Sequence, residues 1–155
     1  MEEIVGSLVG VTGHTFDVVY DLFFTTERLI AVSIRHPLDK PQQLGSVWQT
    51  FLVGGKWEQR NEKIERERVA QERRCTLQSM SPDELIDAHP RNFGISYSEI
   101  TSVEVRRRLF QSRLEFCVSE PLTTEQTIRF NLSRNQIPEA RRIVDQVLPS
   151  KIKGK

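Results

Sequence analysis

Three consecutive arginines, Arg106-Arg107-Arg108, followed by Leu109-Phe110 and Arg113, are the residues of this chain best suited to holding a ligand. Guanidinium groups are planar forks of N–H donors that match phosphates and carboxylates. On a strand, Arg106 and Arg108 project to one face and Arg107 to the other; at a hairpin tip all three converge. The same run also suits protection of an exposed edge strand against aggregation. Spacing alone leaves both roles open.

Catalytic and metal chemistry have little to work with. The imidazoles are His14, His36 and His89, with no HxxxH spacing and no accompanying acid–histidine motif. Cys75 and Cys117 lack the paired spacing of a zinc ribbon or redox site and are expected to be reduced thiols, Cys117 on a sheet face. Asp17 and Asp21 share one face of a strand, but a separation of ~13 Å at ~3.3 Å per residue is too wide for a catalytic carboxylate pair. Gly54-Gly55-Lys56 is too short a match for a phosphate loop. The expectation is no catalytic residue, no cofactor, no metal and no enzyme.

These groups must be placed by a single core, since 155 residues suffice for one and are short for two. No run approaches the ~20 apolar residues that span a bilayer, and the start Met1-Glu2-Glu3 is unlike a secretory signal. A cytoplasmic location is expected, with a peripheral position at the inner membrane surface as the alternative. The net charge of +1 is unevenly spread: −3 over residues 1–50, 0 over 51–92 and +4 over 93–155. The basic end suits a phosphate-bearing partner. Nucleic acid is disfavoured, because overall charge is near zero and aromatics do not interleave with bases.

Strand signals dominate both ends. Glu3 to Thr12 reads as a first strand bent at Gly6 and Gly10, and Gly13-His14 as a turn. Phe16, Val18, Tyr20, Leu22 and Phe24 then alternate with Asp17, Val19, Asp21 and Phe23. Leu29 to Ile34 makes a third strand. Further on, Phe93, Ile95 and Tyr97 share a face, Ser98-Glu99 marks a kink, and Val103 and Val105 continue beyond Ile100. Leu114, Phe116 and Val118 form the next inward face, and Ile128, Phe130 and Leu132 the last. A closing helix is predicted from an Asn135 cap, with Ile137, Ala140, Val144, Val147 and Leu148 on its buried side and Pro149 as its stop.

Between these ends lies an insertion, residues 35–92. Arg35 to Gln43 holds Pro37 and Pro41 and reads as loop; Leu44 to Trp57 is apolar and glycine-bounded. Lys56 to Arg74 is densely charged, with Glu62–Arg66, Lys63–Glu67 and Arg68–Glu72 at helical neighbour spacing. Trp57, Ile64, Val69, Ala70 and Cys75 offer only a narrow apolar stripe, so an exposed arm standing off the body is expected. Ser81-Pro82-Asp83-Glu84 is a helix start with a capping box; Leu85, Ile86 and Ala88 would pin that short helix, which Pro90 ends.

The run "VVYDLFFTTERLIAVSI" (Val18 to Ile34) and the run "NFGISYSEITSVEVRR" (Asn92 to Arg107) resemble the pleckstrin-homology-like (PH-like) superfold, in its bacterial and archaeal PH-like and GRAM-like branches. "SMSPDELIDAH" (Ser79 to His89) is similar to the short helix before that second segment in small relatives. The resemblance implies an α+β domain over residues 1–150, a small antiparallel β-barrel capped by its C-terminal helix, followed by a basic tail, 151–155. Phosphoinositide binders of this fold carry a basic cluster in the loop joining their first two strands. Here that turn is Gly13-His14-Thr15, without Lys or Arg, so no lipid-binding residue is carried over.

The expected function is a non-enzymatic binding or scaffold module for a protein partner or for self-assembly. Trp48, Phe51, Leu52, Val53, Trp57 and Ile64 are its expected contacts, since aromatic anchors dominate interface energetics. The alternative is a peripheral membrane module in which Trp48, Phe51 and Trp57 insert at the interface while Arg106, Arg107, Arg108 and Arg113 meet anionic head groups.

Overall fold

Seven strands, most of them alternating apolar and polar residues, pair into one antiparallel sheet. The computed structural model describes residues 1–13, 18–35, 56–119 and 126–153. In chain order it contains β1 (Ile4–Thr12), β2 (Val19–Thr25), β3 (Arg28–Arg35), α1 (Lys56–Leu77), α2 (Pro82–Asp87), β4 (Phe93–Ser96), β5 (Ile100–Arg106), β6 (Ser112–Val118), β7 (Gln126–Leu132) and α3 (Ile137–Val147). The sheet order is β4-β3-β2-β1-β7-β6-β5. This is an α+β fold with a C-terminal helix. Its ladders define an open sheet: among the described residues none joins β4 to β5.

The inner face carries the main core. Leu22 and Phe24 of β2, Leu29 and Ala31 of β3, Phe116 of β6 and Phe130 of β7 pack against Ala140, Ile143 and Val144 of α3. Tyr20 meets Phe93 and Phe130 edge-on. The β1–β7 ladder consists of the single pair Thr12–Asn131, which leaves a seam between the two halves of the sheet. At β1 the helix comes very close: a Cβ on Gly6 would lie 2.8 Å from Ile143 Cδ1. The buried side of α3 therefore includes Ile143, which the expected stripe omitted, while Val147 is only partly buried. Ser133, not Asn135, begins the turn into α3, pairing reciprocally with Gln136.

β3 is apolar on both faces because both are covered. Ile30, Val32 and Ile34 point outward into a second cluster with Leu77 of α1 and Leu85 of α2, flanked by Phe23, Ala70, Met80 and Ile86. The expected free arm is thus only half free. Lys63 to Val69 are exposed, whereas the C-terminal part of α1 docks through Ala70, Arg73, Arg74 and Leu77. That set has i, i+3, i+4, i+7 spacing, the signature of a buried helical face, but two of its members are arginines. Ile64, Val69 and Cys75, predicted for the stripe, are exposed.

Arg74 docks on a buried charge. Asp21 of β2 is 2% exposed. Its carboxylate accepts from Arg74 Nε at 2.7 Å, from Arg74 Nη2 at 3.0 Å and from the Gly10 backbone N–H at 2.8 Å. Gly10 sits at a register shift of β1 with φ +70°, a conformation that glycine adopts without strain. Arg73 donates to the Ile34 carbonyl at 2.9 Å, and the Asn92 side chain bridges Ser33 N–H and the Leu85 carbonyl.

The α2 capping box forms as its sequence predicts, with Ser81 and Glu84 bonding each other's backbone. Leu85 is buried and Ile86 partly so, but Ala88 is exposed. Beside the start of α2, Arg28 grips Glu2 in a bidentate pair and also bonds Asp83. Lys151 closes the β4–β5 turn by donating to the Tyr97 and Ile100 carbonyls.

Two outcomes follow for stability. Removing one partner of a buried pair strands the other charge, so Arg74→Ala should cost about 3–5 kcal/mol in urea denaturation, and Asp21→Leu with Arg74→Met should recover most of it. The Arg28 hydrogen bonds hold the Glu2 carboxyl below its ordinary 4.5. A lowered folded pKa stabilises above the unfolded value and is lost as pH falls through the folded one. Glu2→Gln should therefore be less stable than the parent at pH 7 and converge with it in strong acid.

Candidate functional site

β5 and β6 form a hairpin whose connection, residues 107–111, lies beyond the last rung of the β6–β7 ladder. Val103, Val105, Leu114 and Phe116 turn inward and hold its base in the core. The outward positions are polar. Along the ladder Glu104 stands opposite Glu115, and Arg106 opposite Arg113. Directly opposed like charges are destabilising on a sheet. The two rungs compensate diagonally: Arg106 Nε lies 2.8 Å from Glu104 Oε1 and 3.8 Å from Glu115 Oε2. Arg129 of β7, next across, lies 3.5 Å from Glu115. The carboxylates sit deeper in the sheet and the arginines nearer the tip, so charge is sorted along the hairpin.

The tip itself is apolar. Leu109 is 81% exposed and Phe110 fully exposed. Their backbone is held from outside, because Arg134 donates to the Leu109 carbonyl at 2.7 Å. Arg107 and Arg108 precede the pair as exposed residues, and Arg113 follows it with its guanidinium on Gln111 Oε1 at 2.7 Å. Two bare hydrophobic side chains ringed by cations thus project from a rigid base. Exposed apolar residues scattered singly are ordinary; here two are adjacent at one tip.

On the outer face of β5–β7 the polar side chains enclose a shallow concavity of about 300 Å³. Arg106, Arg108, Arg113 and Arg129 line it, with Lys153 from the C-terminal segment. That segment is pinned beside β5 by the Ile152–Val103 bridge and the Lys153 N–H on the Val103 carbonyl. Hydrogen bonding to Glu104 keeps the Arg106 guanidinium even more firmly protonated than usual. Sequence spacing does not connect Arg129, an isolated cation, or Lys153, a member of the basic tail, with the arginine run, because the segments that meet here are distant in the chain.

The other expected contacts fall elsewhere. Trp48, Phe51, Leu52 and Val53 lie outside the described residues, as do His14, His36 and Asp17. Trp57 belongs to the first turn of α1. Ile64, 56% exposed, and Val69, 44% exposed, lie on the uncovered half of α1, where Arg68 pairs with Glu72 as its spacing predicts and also with Glu65. This half of α1 is remote in sequence and sheet position from the β5–β6 hairpin, so the two candidate surfaces are not brought together by any described contact.

A second groove, about 380 Å³, runs between α1, β3 and the α2–β4 connection. Its Arg73 and Asn92 are engaged in holding β3, and His89 Nδ1 accepts the Arg91 backbone N–H. It is the seam along which α1 docks. Among the described residues no three His, Cys, Asp or Glu side chains converge to hold a metal ion, and no helix is long and apolar enough to cross a membrane. Cys75 and Cys117 are both free thiols, Cys117 on the outer sheet face.

The chain matches no protein-family model, and comparison with curated proteins and with solved structures finds no match. Its surfaces are therefore interpreted from their own chemistry. Because Leu109 and Phe110 contribute no packing to the core, Leu109→Ser with Phe110→Ser should shift stability by no more than about 0.5 kcal/mol. Thermal denaturation beside the parent checks this.

Proposed function

We propose that this protein is a non-enzymatic binding module of the PH-like barrel class that attaches peripherally to an anionic membrane surface through its β5–β6 hairpin. The observation that carries the reading is the pair Leu109–Phe110, bare at a tip flanked by Arg106, Arg107, Arg108 and Arg113. Such a tip places apolar side chains at the depth of the acyl boundary while its cations stay among anionic head groups. Burying a Phe side chain is worth about 1.5–3 kcal/mol, and each cation near such a surface about 1 kcal/mol. The seven-stranded antiparallel order with α3 on the inner core is compatible with the PH-like barrel. On this reading the protein works in the cytoplasm, at the inner face of the membrane.

A second reading, assembly with a protein partner or with itself, draws support from α1. Its residues Lys63 to Val69 are exposed, Ile64 and Val69 among them, with Val69 on the rim of the groove between α1 and β3. Trp48, Phe51, Leu52, Val53 and Trp57 remain the contacts proposed for that role.

Flotation with vesicles separates the two. The membrane reading expects binding to anionic vesicles alone, weakening steeply with salt, and a tenfold to roughly hundredfold loss in Phe110→Ser, the equivalent of its burial energy. No flotation at low salt, together with a concentration-dependent mass by light scattering that Ile64→Lys abolishes, would instead support assembly through α1.

A further inference from the structure

We infer that the concavity on the outer face of β5–β7 binds a phosphate monoester, carried by a lipid head group. The proposal deepens the membrane reading, on which it rests for the source of the phosphate, by assigning a ligand to the polar side of the docking surface. Five cations line the site, Arg106, Arg108, Arg113, Arg129 and Lys153, against two carboxylates, Glu104 and Glu115, a local excess of three positive charges. The carboxylates are engaged by Arg106 and Arg129. Arg108, Arg113 and Lys153 have no carboxylate within ion-pair distance among the described residues; Arg113 is held only by the neutral Gln111 amide.

A charge excess of this size fits a dianion better than a monoanion. A phosphate monoester carries about −1.5 to −2 at neutral pH and offers three terminal oxygens, whereas a diester or a carboxylate carries one charge. Arginine forks supply paired donors for two of those oxygens, and Lys153 supplies a point charge from the far wall. The like-charge rung Arg106–Arg113, unfavourable by itself, becomes favourable with an anion above it. Violations of local pairing rules concentrate at functional positions.

The volume also limits the ligand. About 300 Å³ lies at the small end of ligand sites and accommodates a head-group phosphate. A nucleic-acid backbone fits poorly, because Glu104 and Glu115 interrupt the cations and no aromatic side chain lines the face for base stacking. The lipid source follows from position: Arg108 lines the concavity and is bonded in sequence to Leu109, so a tip seated in the acyl boundary brings the cup level with the head groups.

The test uses the full chain, labelled with 15N, and two probes. Glycerol 3-phosphate, a soluble monoester, should produce saturable amide shifts along β5, β6 and β7 near Glu104, Glu115 and Arg129. Arg108→Glu with Lys153→Glu, two cations without a carboxylate partner, should keep a dispersed spectrum and weaken this binding by about tenfold or more. Vesicles with phosphatidic acid should bind the protein more tightly than vesicles of equal surface charge made with phosphatidylserine, and the double variant should erase that difference. Absence of saturable shifts, or equal affinity in the double variant, would overturn the phosphate site. Saturable shifts without any vesicle binding would overturn the lipid source and the docking reading while sparing the site. A phosphoserine peptide binding at least tenfold more tightly than glycerol 3-phosphate, with no preference between the vesicles, would assign the site to a protein ligand and overturn the lipid assignment.

Discussion

A carboxylate buried on the outer face of an antiparallel sheet must be answered by donors, or it does not stay there. Asp21 is answered three times, twice by Arg74 and once by the Gly10 backbone. Those bonds connect three elements that share no long run of sequence: the irregular middle of β1, the centre of β2 and the end of α1. They fix where α1 lands, and with it the apolar contacts of Ala70 and Leu77 over Ile30, Val32 and Ile34. The pair adds little net stability by itself, since desolvation offsets much of its Coulombic gain. Its effect is positional.

The sheet is consequently asymmetric. Its inner face is filled along both halves by α3. Its outer face is covered over β3 by α1 and α2, while the outer face of β5–β7 carries arginine, lysine, glutamate and threonine instead of apolar residues. The second half therefore has a buried side that anchors it and, among the described residues, an uncovered polar side. Hairpin geometry extends that open side to Leu109 and Phe110, and Arg134 steadies the tip from outside.

Much of the frame was legible in the chain. Period-two alternation marks β2, β6 and β7, and apolar runs between turns mark β1 and β3; Phe93 to Val105, which reads as one strand with a kink at Ser98-Glu99, is instead divided into β4 and β5 at opposite edges of the sheet. The capping box of α2 was equally plain, being a local interaction completed within four residues. What was not legible depends on contacts between distant segments. The docking face of α1 reads as polar because two of its four members are Arg73 and Arg74, whose partners are backbone carbonyls of β3 and a carboxylate of β2. Ile143, by contrast, was legible and omitted: Ala140, Ile143, Val144 and Val147 have the i, i+3, i+4, i+7 spacing of a buried face.

The candidate surface was half visible. The triplet Arg106-Arg107-Arg108 and Arg113 stand out as a run, yet the run alone could not tell an edge-strand guard from an anion site. Register decides what the arginines face, and the fold adds Arg129 and Lys153 from other segments. Adjacent exposure of Leu109 and Phe110 turns a charged edge into an amphipathic tip. The central claim is that this tip, and not the exposed half of α1, meets the membrane. Paramagnetic broadening of amide signals by a nitroxide-bearing lipid in anionic bicelles tests it most directly. Broadening should be strongest at Leu109 and Phe110, decline along β5 and β6, and spare Lys63 to Val69. Broadening centred on α1, or none anywhere, would contradict the account.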